Sequence, residues 1–140
     1  MKGFFGVVVA VACSLLAVSA CGLGDLRGGQ QVAVTLDEYH LVLSQPSASA
    51  GKLTFKVHNT GREKHEFVIL RTDLDSGSLP LVGGKVKEDA DGVEHVDELD
   101  GVAVGQERDL TVDLKPGTYI FVCNIPGHAH QGMVARFTIS

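Results

Sequence analysis

Apolar residues recur at every second position along most of the chain. Val32, Val34 and Leu36 alternate with polar or small residues, and Tyr39, Leu41 and Leu43 keep the same period. Leu53, Phe55 and Val57 fall on one face of the segment 52–57. Leu110, Val112 and Leu114 alternate again, Tyr119, Phe121 and Cys123 share a face, and 134–139 closes the chain. A period of two is the repeat of a strand with one buried face. The run 67–70 (Phe-Val-Ile-Leu) is continuously apolar instead, which predicts a strand buried on both faces. Gln45-Pro46-Ser47, Asn59-Thr60-Gly61 and Lys115-Pro116-Gly117 supply the turns. Together these signals predict an all-β sandwich.

One stretch breaks the pattern. Residues 73–100 are acidic, punctuated by glycine and poorly periodic. They read as a long acidic loop joining two strands, with room for a short helix or two over 85–99. The acidic residues form either a solvated surface or a face for a partner.

The N-terminus is of a different kind. Met1-Lys2 precedes a nearly unbroken apolar run, and small residues lead to Cys21. That order predicts an export signal over residues 1–20, short for a spanning helix. Val18-Ser19-Ala20-Cys21 resembles a bacterial lipobox, which makes Cys21 the candidate lipidation site. An ordinary signal with Cys21 as a plain thiol, and a retained anchor, are the alternatives. Residues 21–30 are glycine-rich and read as a tether, leaving 31–140 as one domain.

Removal of Lys2 with the signal takes the formal charge from -5 to about -6. A mild acidic excess argues against nucleic acid and is compatible with a basic protein partner. Of the three cysteines, Cys13 leaves with the signal and Cys21 is acylated, so Cys123 stands alone. A lone thiol in an exported domain has no disulfide partner and calls for another explanation.

The run Cys123-Asn124-Ile125-Pro126-Gly127-His128-Ala129-His130-Gln131-Gly132-Met133 supplies one. A strand delivers Cys123, a Pro-Gly turn reverses the chain, and His128 and Met133 follow before the last strand. Thiolate and imidazole in a trigonal plane, with a distant thioether, suit copper that cycles between cuprous and cupric states. His65, where a loop enters the apolar run, is the candidate for the remaining imidazole. His130 competes with His128 for its place, and the preceding Gly127 favours His128. His58 falls in a strand, and His40 and His95 have no partner visible in the sequence.

These residues carry a family resemblance over about 31–140. The spacing Cys-x4-His-x4-Met with an internal Ile-Pro-Gly resembles the rusticyanin, sulfocyanin and auracyanin branch of the cupredoxin superfamily. The segments Phe55-Lys56-Val57-His58-Asn59-Thr60-Gly61, His65-Glu66-Phe67 and Gly117-Thr118-Tyr119-Ile120-Phe121-Val122-Cys123 match in order and spacing. The resemblance implies a Greek-key β-sandwich holding one type 1 copper through His65, Cys123, His128 and, weakly, Met133. It departs from better-known members at Glu66, where Asn often stands and braces the copper loop. A carboxylate there favours the cupric form, or accepts hydrogen bonds from the Cys123–Asn124 loop.

Three functions compete for these residues. The first is a monomeric one-electron carrier, lipid-anchored at the outer face of a membrane or in the periplasm, serving a redox protein such as a cytochrome or oxidase. The second is a copper buffer or chaperone, which the two methionines, Met1 included, do little to support. The third is an enzyme of the multicopper oxidase or nitrite reductase kind. The four remaining histidines are scattered and make no second copper motif, so the expectation is no enzyme.

Overall fold

The structure is a computed structural model, and it describes residues 29–140. The expected signal, Cys21 and most of the tether lie outside the described residues. Among the described residues, no helix is long and apolar enough to cross a membrane.

Eleven strands follow in order: β1 (Gln30–Asp37), β2 (His40–Leu43), β3 (Ser47–Ala48), β4 (Gly51–Asn59), β5 (His65–Arg71), β6 (Leu81–Val82), β7 (Lys85–Val86), β8 (Glu94–Val102), β9 (Glu107–Leu114), β10 (Gly117–Val122) and β11 (Val134–Ile139). One sheet runs β2-β1-β4-β9 and the other β3-β11-β10-β5-β8, with β6-β7 as a separate hairpin. β1 lies parallel to β4 and β3 parallel to β11; the other pairings are antiparallel. This is the Greek-key sandwich expected from the sequence.

The alternating residues face inward as their period requires. Val32, Val34 and Leu36 of β1 meet Leu53, Phe55 and Val57 of β4, and both rows pack on Phe67, Ile69, Tyr119, Phe121 and Phe137 of the other sheet. Phe55 is at the centre, with ring centroids 5.5, 5.1 and 5.9 Å from Phe67, Phe121 and Phe137. Each such burial is worth about 2–3 kcal/mol, so the wall behind the end of the sandwich is firmly held. Cys123 stays in phase with Tyr119 and Phe121 and joins the same core. The Tyr119 hydroxyl donates to the Lys115 carbonyl at 2.8 Å and fixes the turn into β10.

Strand β5 is buried on both faces, as its apolar run predicts. Phe67 and Ile69 enter the main core. Val68 and Leu70 pack outward with Ile120 and Val122 under Leu79, Val86 and Val93.

The reading of 73–100 needs correction. It is not one loop, and the alternative of a short helix over 85–99 does not form either. The segment holds a single 3₁₀ turn at Ser76–Ser78, the β6–β7 hairpin and most of β8. The hairpin covers the outer face of β5, and β8 is an edge strand paired to it. Only Leu99 and Val102 of β8 are buried, and its register against β5 shifts twice, so no clean alternation survives. Its exposed charges, Glu94, Glu98 and Asp100, blunt an edge that would otherwise pair with another chain.

Candidate metal centre

His65 is the first residue of β5 and Cys123 directly follows β10, the strand paired beside it. Adjacent strands ending together place the two side chains at one end of the sandwich. The loop after Cys123 then folds back on itself. The His128 N–H donates to the Ile125 carbonyl at 3.0 Å, the Met133 N–H to the His128 carbonyl at 3.1 Å, and the Cys123 N–H to the Met133 carbonyl at 3.1 Å. These bonds bring both ends of the loop to the same point.

Cys123 Sγ lies 3.4 Å from His128 Nδ1 and 3.8 Å from His65 Nδ1. The two imidazoles meet edge to face, 5.3 Å between centroids. Cys123 and His65 are fully buried and His128 is only 6% exposed. Met133 is fully buried in the same core. Three donors bound at about 2.0–2.3 Å to one ion in a trigonal plane stand about 3.5–4 Å from one another. The observed separations match that geometry, and the donor set of thiolate and imidazole fits one type 1 copper.

Burial also sets the protonation of these groups. It pushes the Cys123 thiol up, against the N–H of Glu66, which donates to Sγ at 3.3 Å and pulls it down. Burial, then the nearby His65 ring, pushes His128 down, which favours the neutral imidazole that a metal ligand must be. Glu66 is half-buried, and burial raises its carboxyl above the ordinary 4.5. The contact it makes with the cysteine is through its backbone, which any residue at that place supplies.

The structure brings together His65, Cys123 and His128 and does not bring His130, which is exposed. His58 is partly exposed, with Glu107 at 3.9 Å. His40 and His95 do have partners: His40 Nδ1 is 2.6 Å from Asp37, and His95 Nε2 is 3.6 Å from Glu88 and 3.8 Å from Glu98. Asn124, not Glu66, braces the loop from outside, by pairing with the backbone of Val86. A second clasp runs from the Gly127 N–H to the Gly84 carbonyl at 2.8 Å. Gly84 has φ +79°, and a Cβ on it would come within 3.1 Å of the Gly127 nitrogen, so the clasp needs glycine there.

Sequence reasoning missed the hairpin, although Gly83-Gly84 between Leu81-Val82 and Lys85-Val86 is a hairpin signal. It also missed Glu38, in the two-residue connection between β1 and β2. Its Oε1 lies 3.1 Å from His65 Nε2.

Comparison with solved structures places these features in a known fold. Auracyanin from the photosynthetic bacterium Roseiflexus castenholzii, solved in its dithionite-reduced form, is 19% identical with a TM-score of 0.58, over 81% of this chain and 99% of that one. Rusticyanin from Thiobacillus ferrooxidans is 20% identical with a TM-score of 0.58, over 81% of this chain and 79% of that one. Auracyanin B is 18% identical with a TM-score of 0.54, over 79% and 88%. No curated protein sequence matches the chain. The family model for the cupredoxin-like domain, however, matches residues 6–135. A match of that length, on a sandwich with this strand order, means that the chain belongs to the cupredoxin-like domain family.

Proposed function

We propose that the chain holds one copper through His65, Cys123, His128 and Met133 and carries single electrons between redox proteins outside the cytoplasm. The observation that carries this reading is the buried cluster of one thiol and two imidazole nitrogens, with Sγ 3.4 and 3.8 Å from the two Nδ1 atoms. Copper bound there gains and loses one electron without a change of ligands. The chain's own part is to hold the donors still and dry. β5 and β10 fix His65 and Cys123 on a wall of packed phenylalanines, and the folded loop fixes His128. A site that does not reorganise exchanges electrons quickly.

Burial also favours a carrier over a copper donor. Delivery of the ion requires an incoming ligand to reach it, and two of the three clustered donors are fully enclosed. The proposed place of the domain is the outer face of a membrane, held by lipid on Cys21. The proposed partner is a redox protein with a basic surface, facing the exposed carboxylates of β8.

The test is the visible spectrum of the copper-loaded protein. An intense thiolate-to-copper band that bleaches on reduction and returns on oxidation is expected. A colourless complex would overturn the reading. A stopped-flow comparison of electron transfer and copper transfer to a membrane oxidase then separates carrier from donor.

A further inference from the structure

The buried ring of His65 is held from both sides. Its Nδ1 faces Cys123 Sγ at 3.8 Å, and its Nε2 lies 3.1 Å from Glu38 Oε1. Glu38 comes from the turn joining two strands of the other sheet and stands 27 residues earlier in the chain. The same oxygen accepts the backbone N–H groups of Arg62 at 2.7 Å and Glu63 at 2.9 Å, in the loop that leads into β5. One carboxylate oxygen therefore ties the β1–β2 connection, the loop before β5 and the imidazole together.

A second observation concerns the space this oxygen occupies. A Cβ on Gly61 would collide with Glu38 Oε1 and stand 3.0 Å from His65 Nε2. Gly61 does not have a left-handed φ, so its backbone conformation does not demand glycine. Room for the carboxylate does. Fully buried Asn59 shapes the same recess: its Oδ1 accepts the Gly61 N–H at 2.9 Å, and its Nδ2 donates to the carbonyls of Glu63 at 2.7 Å and Val102 at 2.9 Å. The recess receives a carboxylate and delivers it to one nitrogen.

We propose that Glu38 is a positioning residue of the metal centre, which orients His65 through Nε2, fixes its tautomer, and lowers the reduction potential by placing a negative charge one ring away from the ion. The proposal rests on the copper reading above and deepens it. A carboxylate at Nε2 requires the proton on that nitrogen and leaves the Nδ1 lone pair for the metal. The charge stabilises the cupric state more than the cuprous one, because the cupric ion carries one more positive charge. The N–H groups of Arg62 and Glu63 both donate to this oxygen, which favours the charged form of the carboxyl.

Three variants test this. Glu38→Gln keeps an acceptor and removes the charge. Glu38→Ala removes both. Gly61→Ala leaves the carboxylate intact and occupies its space. Each is loaded with copper for a potential measurement, and the metal-free proteins are compared by nitrogen NMR of the His65 ring. Glu38→Gln is expected to shift the ratio of cupric to cuprous affinity at least tenfold toward cuprous, an upward shift of about 59 mV for one electron. Gly61→Ala should move the potential the same way, and Glu38→Ala should also mix the two tautomers in the metal-free ring. A blue wild-type protein whose potential is unchanged in Glu38→Gln would overturn this proposal and leave the copper reading standing. A wild-type protein without the thiolate band would overturn the copper reading, and the proposal with it. Should Gly61→Ala fail to fold, Glu38→Gln decides the matter alone.

Discussion

The side-chain amide of Asn124 pairs with Val86 as a neighbouring strand would. Its Oδ1 accepts the Val86 N–H at 2.7 Å and its Nδ2 donates to the Val86 carbonyl at 3.0 Å. Asn124 directly follows Cys123, and Val86 ends the hairpin that covers β5. The pair therefore locks the insertion to the first residue of the ligand loop, and the bond between Gly127 and Gly84 locks it again beyond Pro126.

Asn124→Ala removes both partners of a buried backbone segment. Each unpaired buried group costs about 1–3 kcal/mol, so a total loss of about 2–6 kcal/mol is expected. Thermal unfolding of the metal-free protein measures it, as a fall in Tm of about 10 °C or more for a domain of this size. Asn124→Asp keeps the acceptor for the Val86 N–H but faces Glu88, which accepts from Nδ2 in the native protein. It should recover little of the loss.

This lock was the part of the molecule least legible in the sequence, and the reason is physical. β1, β4 and β9 each bury one face in a regular core, so their residues alternate and their sequence shows it. The both-face burial of Phe67, Val68, Ile69 and Leu70 showed as an unbroken apolar run. What covers its outer face did not, because Leu79, Val86 and Val93 enter singly from separate short elements and share no period. β8 was hidden by its bulges and its single-sided burial. The ligand loop was legible because its residues are adjacent in the chain. Glu38 reaches His65 across 27 residues and two sheets, and no local pattern marks such a contact.

Cys123→Ser should abolish the thiolate-to-copper band, even where copper remains bound. His65→Ala and His128→Ala should each lose or severely alter the spectrum, since each removes one of the clustered Nδ1 atoms. His130→Ala and His58→Ala should leave it nearly intact, because both side chains stand outside the cluster. Absorption spectra of the five copper-loaded variants check all of these together.

Met133→Leu exchanges one buried side chain for another of similar volume, so folding should change by less than about 1.5 kcal/mol. The backbone bonds of residue 133 to Cys123 and His128 do not involve the side chain and stay in place. The variant should retain copper and show a higher reduction potential, since loss of a weak thioether donor disfavours the cupric state. A spectroelectrochemical titration reads the shift.

Copper binding should release a proton from Cys123. Burial raises this thiol, so it is protonated in the metal-free protein at neutral pH and must ionise to act as a ligand. His128, lowered by burial, adds no competing proton there. Below the thiol pKa, apparent affinity should therefore rise by up to about tenfold per pH unit. Cuprous affinity measured against a cuprous chelator at pH 6 and pH 8 is expected to differ by up to about a hundredfold. Equal affinities at the two values would show that the thiol is ionised before the metal arrives.

Glu66 and Glu38 give the site two carboxylates that titrate in different ranges. Burial first, then the carboxylates of Asp100 and Glu98, raises Glu66, with Lys85 and Lys64 opposing. Glu38 stays charged down to about 2. An ionised Glu66 favours the extra positive charge of the cupric state, so its pKa is higher in the reduced protein than in the oxidised one. As pH falls through the reduced-state value, the carboxylate gains a proton more readily in the reduced protein, and the potential rises. Below the oxidised-state value both forms are protonated and the contribution of Glu66 levels off. Glu66→Gln should have a higher potential than the wild type at neutral pH and lose this rise at mildly acid pH. The N–H of residue 66 still donates to Cys123 Sγ in that variant, so the thiolate band should hardly change. Potentials of both proteins measured from pH 4 to pH 8 test the assignment; parallel profiles would place the titrating group elsewhere.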